Sequence, residues 1–571
     1  LNEERRVIMD YILRIDMGKR EVMRESVPEE YRFMGGRGLN AMILSKEVDP
    51  LCHPLGSKNK LIFSPGLLAG TMAPSFGRLS VGAKSPLTGG IKEANAGGTA
   101  AQKLDRLGIK SIIVENKAQD GTWIVRISRE GCEIIRGDRF KKMRNYDLVK
   151  NLMGEFGDNI SIISIGPCGE MRMRASTVAV TDQDGRPSRH AARGGLGAVM
   201  GSKGLKAIVI DDSGTSRVEI KDRDAFQKSI NGLVDTIKQD KGSPRLNSSF
   251  GTPGVISFVN TIGSMPTMNY RRGSFEEAKN IMGETIKEIN ERRGGTMHGC
   301  MPGCIIQCSI VFFGEDGSPI TSAFEYETIA MMGSNLGIGN PDAIARIDRF
   351  CDEIGIDTIE TGSAIAQAME AGIIEVGDAN GVLKALEEIE NGTPLGRILG
   401  QGTVMVAHAY GLDRVPAVLG QAIPAHDPRV CKPVGVTYAT SPMGADHTAG
   451  IDYRDSLSKE GQVRKSRDAQ ILMATMDSIG YCMLAMPTKS PTILPFWAEL
   501  INARYGSNLT VEDLISIGKK TIKMEIEFNR RTGIDFLHDI VPEFIKNEPL
   551  PPQNAVFDIA REEIESIWKD L

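Results

Sequence analysis

Long apolar runs are missing from this chain. The longest, such as "AIVI" at 207–210, fall far below the length needed to span a bilayer. Near the start, "LNEERRVIMDYILRIDMGKREV" has no apolar core followed by a cleavage site, so no secretory signal is expected and a cytoplasmic location is. Cysteine is sparse, nine in 571 residues, which excludes a disulfide framework and fits a reducing compartment. There is no excess of positive charge: the formal net charge is -5, which argues against nucleic acid as the main partner. Low-complexity tracts and repeats of 20–50 residues are also absent. What remains is the composition of a soluble globular chain, 41% hydrophobic and 25% charged. Its length is enough for roughly three to five domains.

Glycine is plentiful at 63 residues, often paired beside basic or small residues, as where a backbone closely approaches something else. The first ~210 residues read as short strands and turns. "YILRIDMGKREVMRES" alternates around a turn like a hairpin, "SIISIGPCGE" and "LKAIVIDD" look like buried strands, and one helix is expected at 98–107. The polar stretch "DDSGTSR" at 211–217 is a candidate boundary. Beyond 222 the pattern turns helical: "AIARIDRFCDEIG" puts Ile344, Ile347, Phe350 and Ile354 on one face, with Gly355 where a helix-ending glycine belongs. The segment 420–450 reads as loop-rich, after which helical patterning resumes. Units at 1–211, 212–418 and 419–571 are expected.

Three of the nine cysteines fall in "HGCMPGCIIQC", at Cys300, Cys304 and Cys308. Three close thiolates and a remote fourth commonly hold a [4Fe–4S] cluster. His298 could instead complete a zinc site, although no second knuckle pair is present. Three merely buried cysteines are the plainest alternative. A second feature is a frame that recurs at helix ends, "DEIGID" at 352–357 and "DSIGYC" at 477–482. Each copy read alone is an ordinary helix stop. Aspartate in a last helical turn opposes the macrodipole, so it needs another purpose. A carboxylate is a bidentate match for the adjacent N–H donors of an amino-pyrimidinone edge. The second copy also offers Cys482 as a fourth cluster ligand.

With these features the chain resembles the tungsten-containing aldehyde ferredoxin oxidoreductases, nearly end to end. The resemblance is carried by "GGRGLNA" (35–41), "SPGLLAGTMAPSFGRLSVGAKSPLTGG" (64–90), "EANAGG" (93–98), "IGPCGE" (165–170), "ARGGLGAVMGSKGLKAI" (192–208), "EYETIAMMGSNLGI" (325–338), the two aspartate frames and "YATSPMGADH" (438–447). It implies an α+β fold, a β-rich N-terminal base domain holding two pterins, followed by two mainly helical domains. It implies oxidation of an aldehyde to a carboxylic acid, with electrons passing through a [4Fe–4S] cluster to ferredoxin. The same family includes catalytic subunits that run low-potential reductions of a carboxylic acid or an aromatic acyl-thioester. The implied cofactors are a tungsten or molybdenum bis-pyranopterin, the cluster, and Mg²⁺ bridging the pterin phosphates. The implied partners are a small aldehyde or acid, ferredoxin or an iron–sulfur subunit, and a second copy or another subunit as homodimer or hetero-oligomer.

Matched by position, Cys300, Cys304, Cys308 and Cys482 look like cluster ligands. Arg78, Asn95, Ala96, Gly97, Arg189, His190, Arg193, Gly194, Gly195, Asp352, Gly355, Asp357, Asp477, Gly480 and Tyr481 look like cofactor contacts, with Asn95 and His190 at the Mg²⁺. Planar guanidinium forks suit phosphate oxygens, and the glycines open backbone N–H groups to them. Glu327 and His447 look like the acid/base pair, and a raised pKa is expected for Glu327. The chain departs from the family in its C-x3-C-x3-C spacing, in lacking any Glu-x-x-His, and in carrying Cys168, read as structural, where a small residue is usual.

Overall fold

The computed structural model describes residues 10–215, 218–488, 490–534 and 541–571. Its N-terminal part holds two six-stranded mixed sheets. The first contains β1 (Tyr11–Asp16), β2 (Glu21–Ser26), β3 (Leu61–Pro65), β4 (Leu79–Lys84), β5 (Ile91–Ala96) and β6 (Ile109–Glu115). The second contains β7 (Trp123–Ile127), β8 (Cys132–Arg136), β9 (Ser161–Ser164), β10 (Val178–Val180), β11 (Arg189–Ala191) and β12 (Leu205–Ile210). The spatial orders are β2-β1-β6-β3-β4-β5 and, read from the equivalent edge, β8-β7-β12-β9-β10-β11. Adding six to each strand number of the first sheet yields the second. The pairing agrees as well: β1 runs parallel to β6 and β7 parallel to β12, and the other pairs are antiparallel. The two sheets are topological duplicates.

The expected hairpin is β1–β2, with Asp16 opposite Glu21, and the expected helix runs over Ala100–Arg106. β3, β6, β9 and β12 are apolar runs because both of their faces are covered. Leu13, Phe63, Val81 and Ile112 of the first sheet share one core with Val125, Ile163, Val178 and Ile208 of the second.

The chain turns helical after 222 as expected: the helix with the Ile344–Ile354 face runs over Pro341–Ile354, and others lie at Arg223–Gln239, Thr358–Glu370, Ala379–Asn391, Gln462–Ile479 and Val511–Arg531. The α+β architecture is therefore that of the sequence expectation. The loop-rich 420–450 also holds a helix the sequence did not mark, the fully buried Lys432–Thr440. Its Pro433 sits in the first turn, where the missing N–H has no intrahelical partner to lose. A small sheet of β13 (Thr296–His298), β14 (Ser309–Phe313) and β15 (Pro319–Ser322) interrupts the helical part. No helix among the described residues is long and apolar enough to cross a membrane.

Each sheet meets a helix end through backbone alone. Gly66 follows β3, and a Cβ there would lie 2.3 Å from the Cα of Gly480. Gly166 follows β9, and a Cβ there would lie 2.2 Å from the carbonyl oxygen of Ile354. Gly66→Ala and Gly166→Ala are therefore expected to destabilise the protein by about 1–3 kcal/mol each through overpacking. Gly154 lies within the helix Asn145–Phe156 and a Cβ there meets nothing within 4 Å, so Gly154→Ala should stabilise by ~0.5–1 kcal/mol. Denaturant midpoints of the three variants check both signs.

Candidate active site and cluster site

Cys300, Cys304 and Cys308 lie on the loop joining β13 to β14, closed at its base by the pairing of His298 with Ser309. The backbone pins this loop to the N-terminal sheets. Gly98 N–H donates to Cys300 O at 3.0 Å, and Ser75 N–H to Gly303 O at 3.1 Å. Cys482 enters from the far end of the chain, its N–H donating to Ser75 O at 3.0 Å. Gly97 has no side chain because a Cβ would sit 2.9 Å from the Cys300 sulfur. Cys300 and Cys482 share a buried cluster with Met301, and Cys304 packs against it. A hydrogen bond from Cys304, together with Arg189 and Arg78, holds the Cys300 thiol down at about 6, while burial pushes Cys308 and Cys482 up. No three of these sulfurs lie within 4.8 Å of one another. A tetrahedral zinc site with ~2.3 Å bonds needs sulfurs ~3.8 Å apart. His298 is turned to Asp182, with Nε2 3.2 Å from the carboxylate. Both facts run against the zinc alternative.

The two aspartate frames close the two equivalent sheets in equivalent ways. Gly355 and Gly480 end their helices at φ 71° and 80°. Thr177, just before β10, donates its N–H to Gly355 O at 3.0 Å; Arg78, just before β4, donates to Gly480 O at 3.3 Å. The side chain of Thr177 bonds His190 Nδ1 at 2.7 Å, and that of Arg78 bonds the Asn95 amide oxygen. His190 Nε2 lies 3.1 Å from Asp352 Oδ1, and Asn95 Nδ2 donates to Asp477 Oδ1 at 3.1 Å. Arg37 adds a contact on Asp477 Oδ2 at 3.3 Å while holding Glu525 with two bonds of 2.9 and 2.8 Å. Asp357 accepts from Ile359 N–H at 2.9 Å and faces Arg193 Nε at 3.1 Å. Burial lifts Asp357 and Asp477 to about 6, with Arg193 and Arg37 opposing the rise.

Arg189 hydrogen-bonds Ser309, and Gly194 at φ 82° lies against Lys92. Gly195 at φ 75° and Ala96 at the end of β5 are buried beside these residues. Tyr481 is different: its ring packs, tilted, 4.8 Å from Phe76 and 4.7 Å from Trp497, and its hydroxyl donates to Ala485 O. Its side chain belongs to the core, leaving only its backbone for a ligand. Cys168 is fully buried with its thiol pushed up by burial, in keeping with a structural role.

Glu327 begins the short helix Tyr326–Met331. Its Oε1 lies 3.0 Å from His426 Nε2 and 3.3 Å from His447 Nε2, and its Oε2 accepts from Ala425 N–H at 2.9 Å. The raised pKa expected for Glu327 is corrected here. Burial alone would raise it, but the two imidazoles and the N–H outweigh burial and bring it to about 2. His426 had no place in the sequence reading. It lies in "AHDPR", and its one signal is scarcity, since the chain has only 7 histidines. Arg37 was quoted within a motif but given no role.

Residues 12–212 match the family model described as the N-terminal domain of aldehyde ferredoxin oxidoreductase, and residues 230–569 match that of its domains 2 & 3. The chain belongs to the aldehyde ferredoxin oxidoreductase family. It is an oxidoreductase of that type. The tungsten-containing aldehyde ferredoxin oxidoreductase of Pyrococcus abyssi is 32% identical over 95% of this chain and 92% of its own length. That of Pyrococcus horikoshii is likewise 32% identical, over 95% and 92%. The active site complex BamBC of benzoyl coenzyme A reductase, solved with 1,5 dienoyl-CoA, superposes with a TM-score of 0.82 at 21% identity, covering 98% of this chain and 92% of that one. At that identity the superposition speaks to the fold of this aldehyde ferredoxin oxidoreductase family member.

Asp352→Asn and Asp477→Asn are each expected to lower the tungsten or molybdenum content of anaerobically purified protein severalfold. Arg37 keeps its Glu525 partner in the second variant, so the fold should persist. Elemental analysis beside a melting curve checks both; wild-type metal content in either would remove that aspartate from the binding site.

Proposed function

We propose that this protein oxidises an aldehyde to a carboxylic acid at a bis-pyranopterin tungsten or molybdenum centre. Cys300, Cys304, Cys308 and Cys482 would hold a [4Fe–4S] cluster, which would supply electron transfer to ferredoxin or an iron–sulfur subunit. The observation that carries this reading is the Glu327 carboxylate, its Oε1 buried, held between two imidazoles. The near full-length kinship with proteins named for tungsten and aldehydes supports it.

The donor set fits the cofactor. Arg189 Nε, Arg193 Nη1 and Asp352 Oδ2 are buried without hydrogen-bond partners. Buried polar groups are normally paired, so a polar ligand belongs among them. Guanidinium forks would hold phosphate oxygens, and the aspartates would take the N–H edges of the pterins. Backbone carbonyls of Asn95 and His190 would serve a bridging Mg²⁺. When bound, the metal centre supplies two-electron redox chemistry and the cluster accepts those electrons singly.

The chain's own residues manage protons and access. Glu327, ionised at neutral pH, accepts a proton from the attacking water or from the hydrated aldehyde. His447, beside it, donates a hydrogen bond to the substrate's oxygen. Both side chains are largely covered, at 17% and 14% exposure, which strengthens these contacts.

Glu327→Gln preserves the shape and removes the base. Aldehyde turnover should fall by about 10²–10⁴-fold, the usual weight of a general base. Iron and tungsten content should match wild type. Full activity in that variant would end the assigned role.

A further inference from the structure

Oxidising an aldehyde with water yields the acid, two electrons and two protons. The electrons have the cluster. The protons need their own way out, and the surroundings of the partly exposed Glu327 offer one. His426 is 2% exposed: its Nδ1 hydrogen-bonds the Tyr453 hydroxyl at 2.9 Å, and its Nε2 approaches Glu327 Oε1 at 3.0 Å, an ion-pair contact without completed hydrogen-bond geometry. Tyr453 is partly exposed, in the loop that follows His447–Ala449. The other imidazole leads nowhere, since His447 Nδ1 is buried without a partner. His426 is also held in place. Its carbonyl accepts from Tyr438 at 3.2 Å, and its ring lies 5.3 Å from that of Tyr326 and 5.5 Å from that of Tyr453.

We propose that Glu327, His426 and Tyr453 form a relay that carries protons from the active site to solvent. The inference rests on the aldehyde-oxidising reading above. In each step the O–H bond on Glu327 breaks as an N–H bond forms at His426 Nε2. The N–H bond at Nδ1 breaks as an O–H bond forms on Tyr453, whose original proton passes to water. No electrons move. The Tyr453 hydroxyl lies 2.9 Å from Nδ1 and 3.4 Å from Nε2, so it can return the ring to its starting tautomer. The low pKa of Glu327 agrees with this: it passes a proton on rather than storing it.

The test is anaerobic stopped flow on holoenzyme mixed with acetaldehyde or benzaldehyde. Bleaching of the cluster's visible absorption is followed together with a pH-indicator dye in weak buffer. In wild type, proton release should keep pace with bleaching. In Tyr453→Phe, with metal content and melting temperature checked, proton release should lag bleaching by about tenfold or more, within the range general acid–base steps contribute. Added imidazole should shorten the lag. Coincident traces in Tyr453→Phe would overturn the relay and leave the aldehyde reading standing. A metal-loaded wild type that no aldehyde bleaches would overturn that reading, and the relay with it. Wild type alone gives a second check. Its proton-release rate should bend with the deuterium fraction of the solvent, because more than one proton is in flight, and a straight line would overturn the relay.

Discussion

Two helix ends pressed against two sheets hold this molecule's chemistry in place. Gly66 meets Gly480 and Gly166 meets the Ile354–Gly355 turn, backbone against backbone, with no room for a Cβ. That closeness fixes Asp477 and Asp352, three residues before each helix-ending glycine, against β5 and β11. An aspartate in a last turn opposes the helix dipole by a few tenths to about 1 kcal/mol. Here Arg37 and Asn95 offset that cost on one side and His190 on the other. The Arg37–Glu525 pair is buried and joins residues 488 apart in sequence. Breaking such a pair costs about 3–5 kcal/mol, so it clamps the N-terminal and C-terminal parts of the chain around Asp477.

Duplication explains why there are two such sites, and the differences between the copies explain why they are unlike. Arg78 and Asn95 stand where Thr177 and His190 stand in the second sheet. Five residues beyond the frame's first aspartate, one copy has Asp357, which caps the next helix, and the other has Cys482, beside the cysteine loop. Arg78 lies close to Cys482, Cys300 and Asp477 together. One end of the pseudo-symmetric floor is thereby joined to the thiols, and the other is joined to a helix.

Much of this was legible in the residues. Local features were readable because short-range physics decides them: the β1–β2 hairpin, the amphipathic helix Pro341–Ile354 with its glycine stop, the cysteine triplet and the recurring aspartate frame. The sheet duplication was not readable. It exists as strand order and hydrogen-bond direction, which side chains need not repeat, and the two halves share glycine positions rather than a recognisable sequence period. The helix Lys432–Thr440 was hidden because it is buried on all sides and shows no amphipathic stripe. His426 was hidden because a lone histidine in a loop carries no spacing signal.

The sign of the Glu327 shift shows how a site's charge can belong to residues far along the chain. Desolvation of a carboxylate raises its pKa, and that rule alone predicted a raised value for Glu327. The rule lost because His426 and His447, about 100 residues and more downstream, bring two imidazoles within 3.0 and 3.3 Å. Ala425 adds a backbone N–H to the other oxygen. Asp446, next to His447, is itself held by the fully buried Lys92 at 2.7 Å, which ties the loop carrying His447 to β5. The ionised state of Glu327 therefore depends on the loop segments 425–426 and 446–447 docking against the helix Tyr326–Met331 and against the N-terminal sheet. Packing of the folded chain, rather than the carboxylate's own environment in sequence, makes it a base.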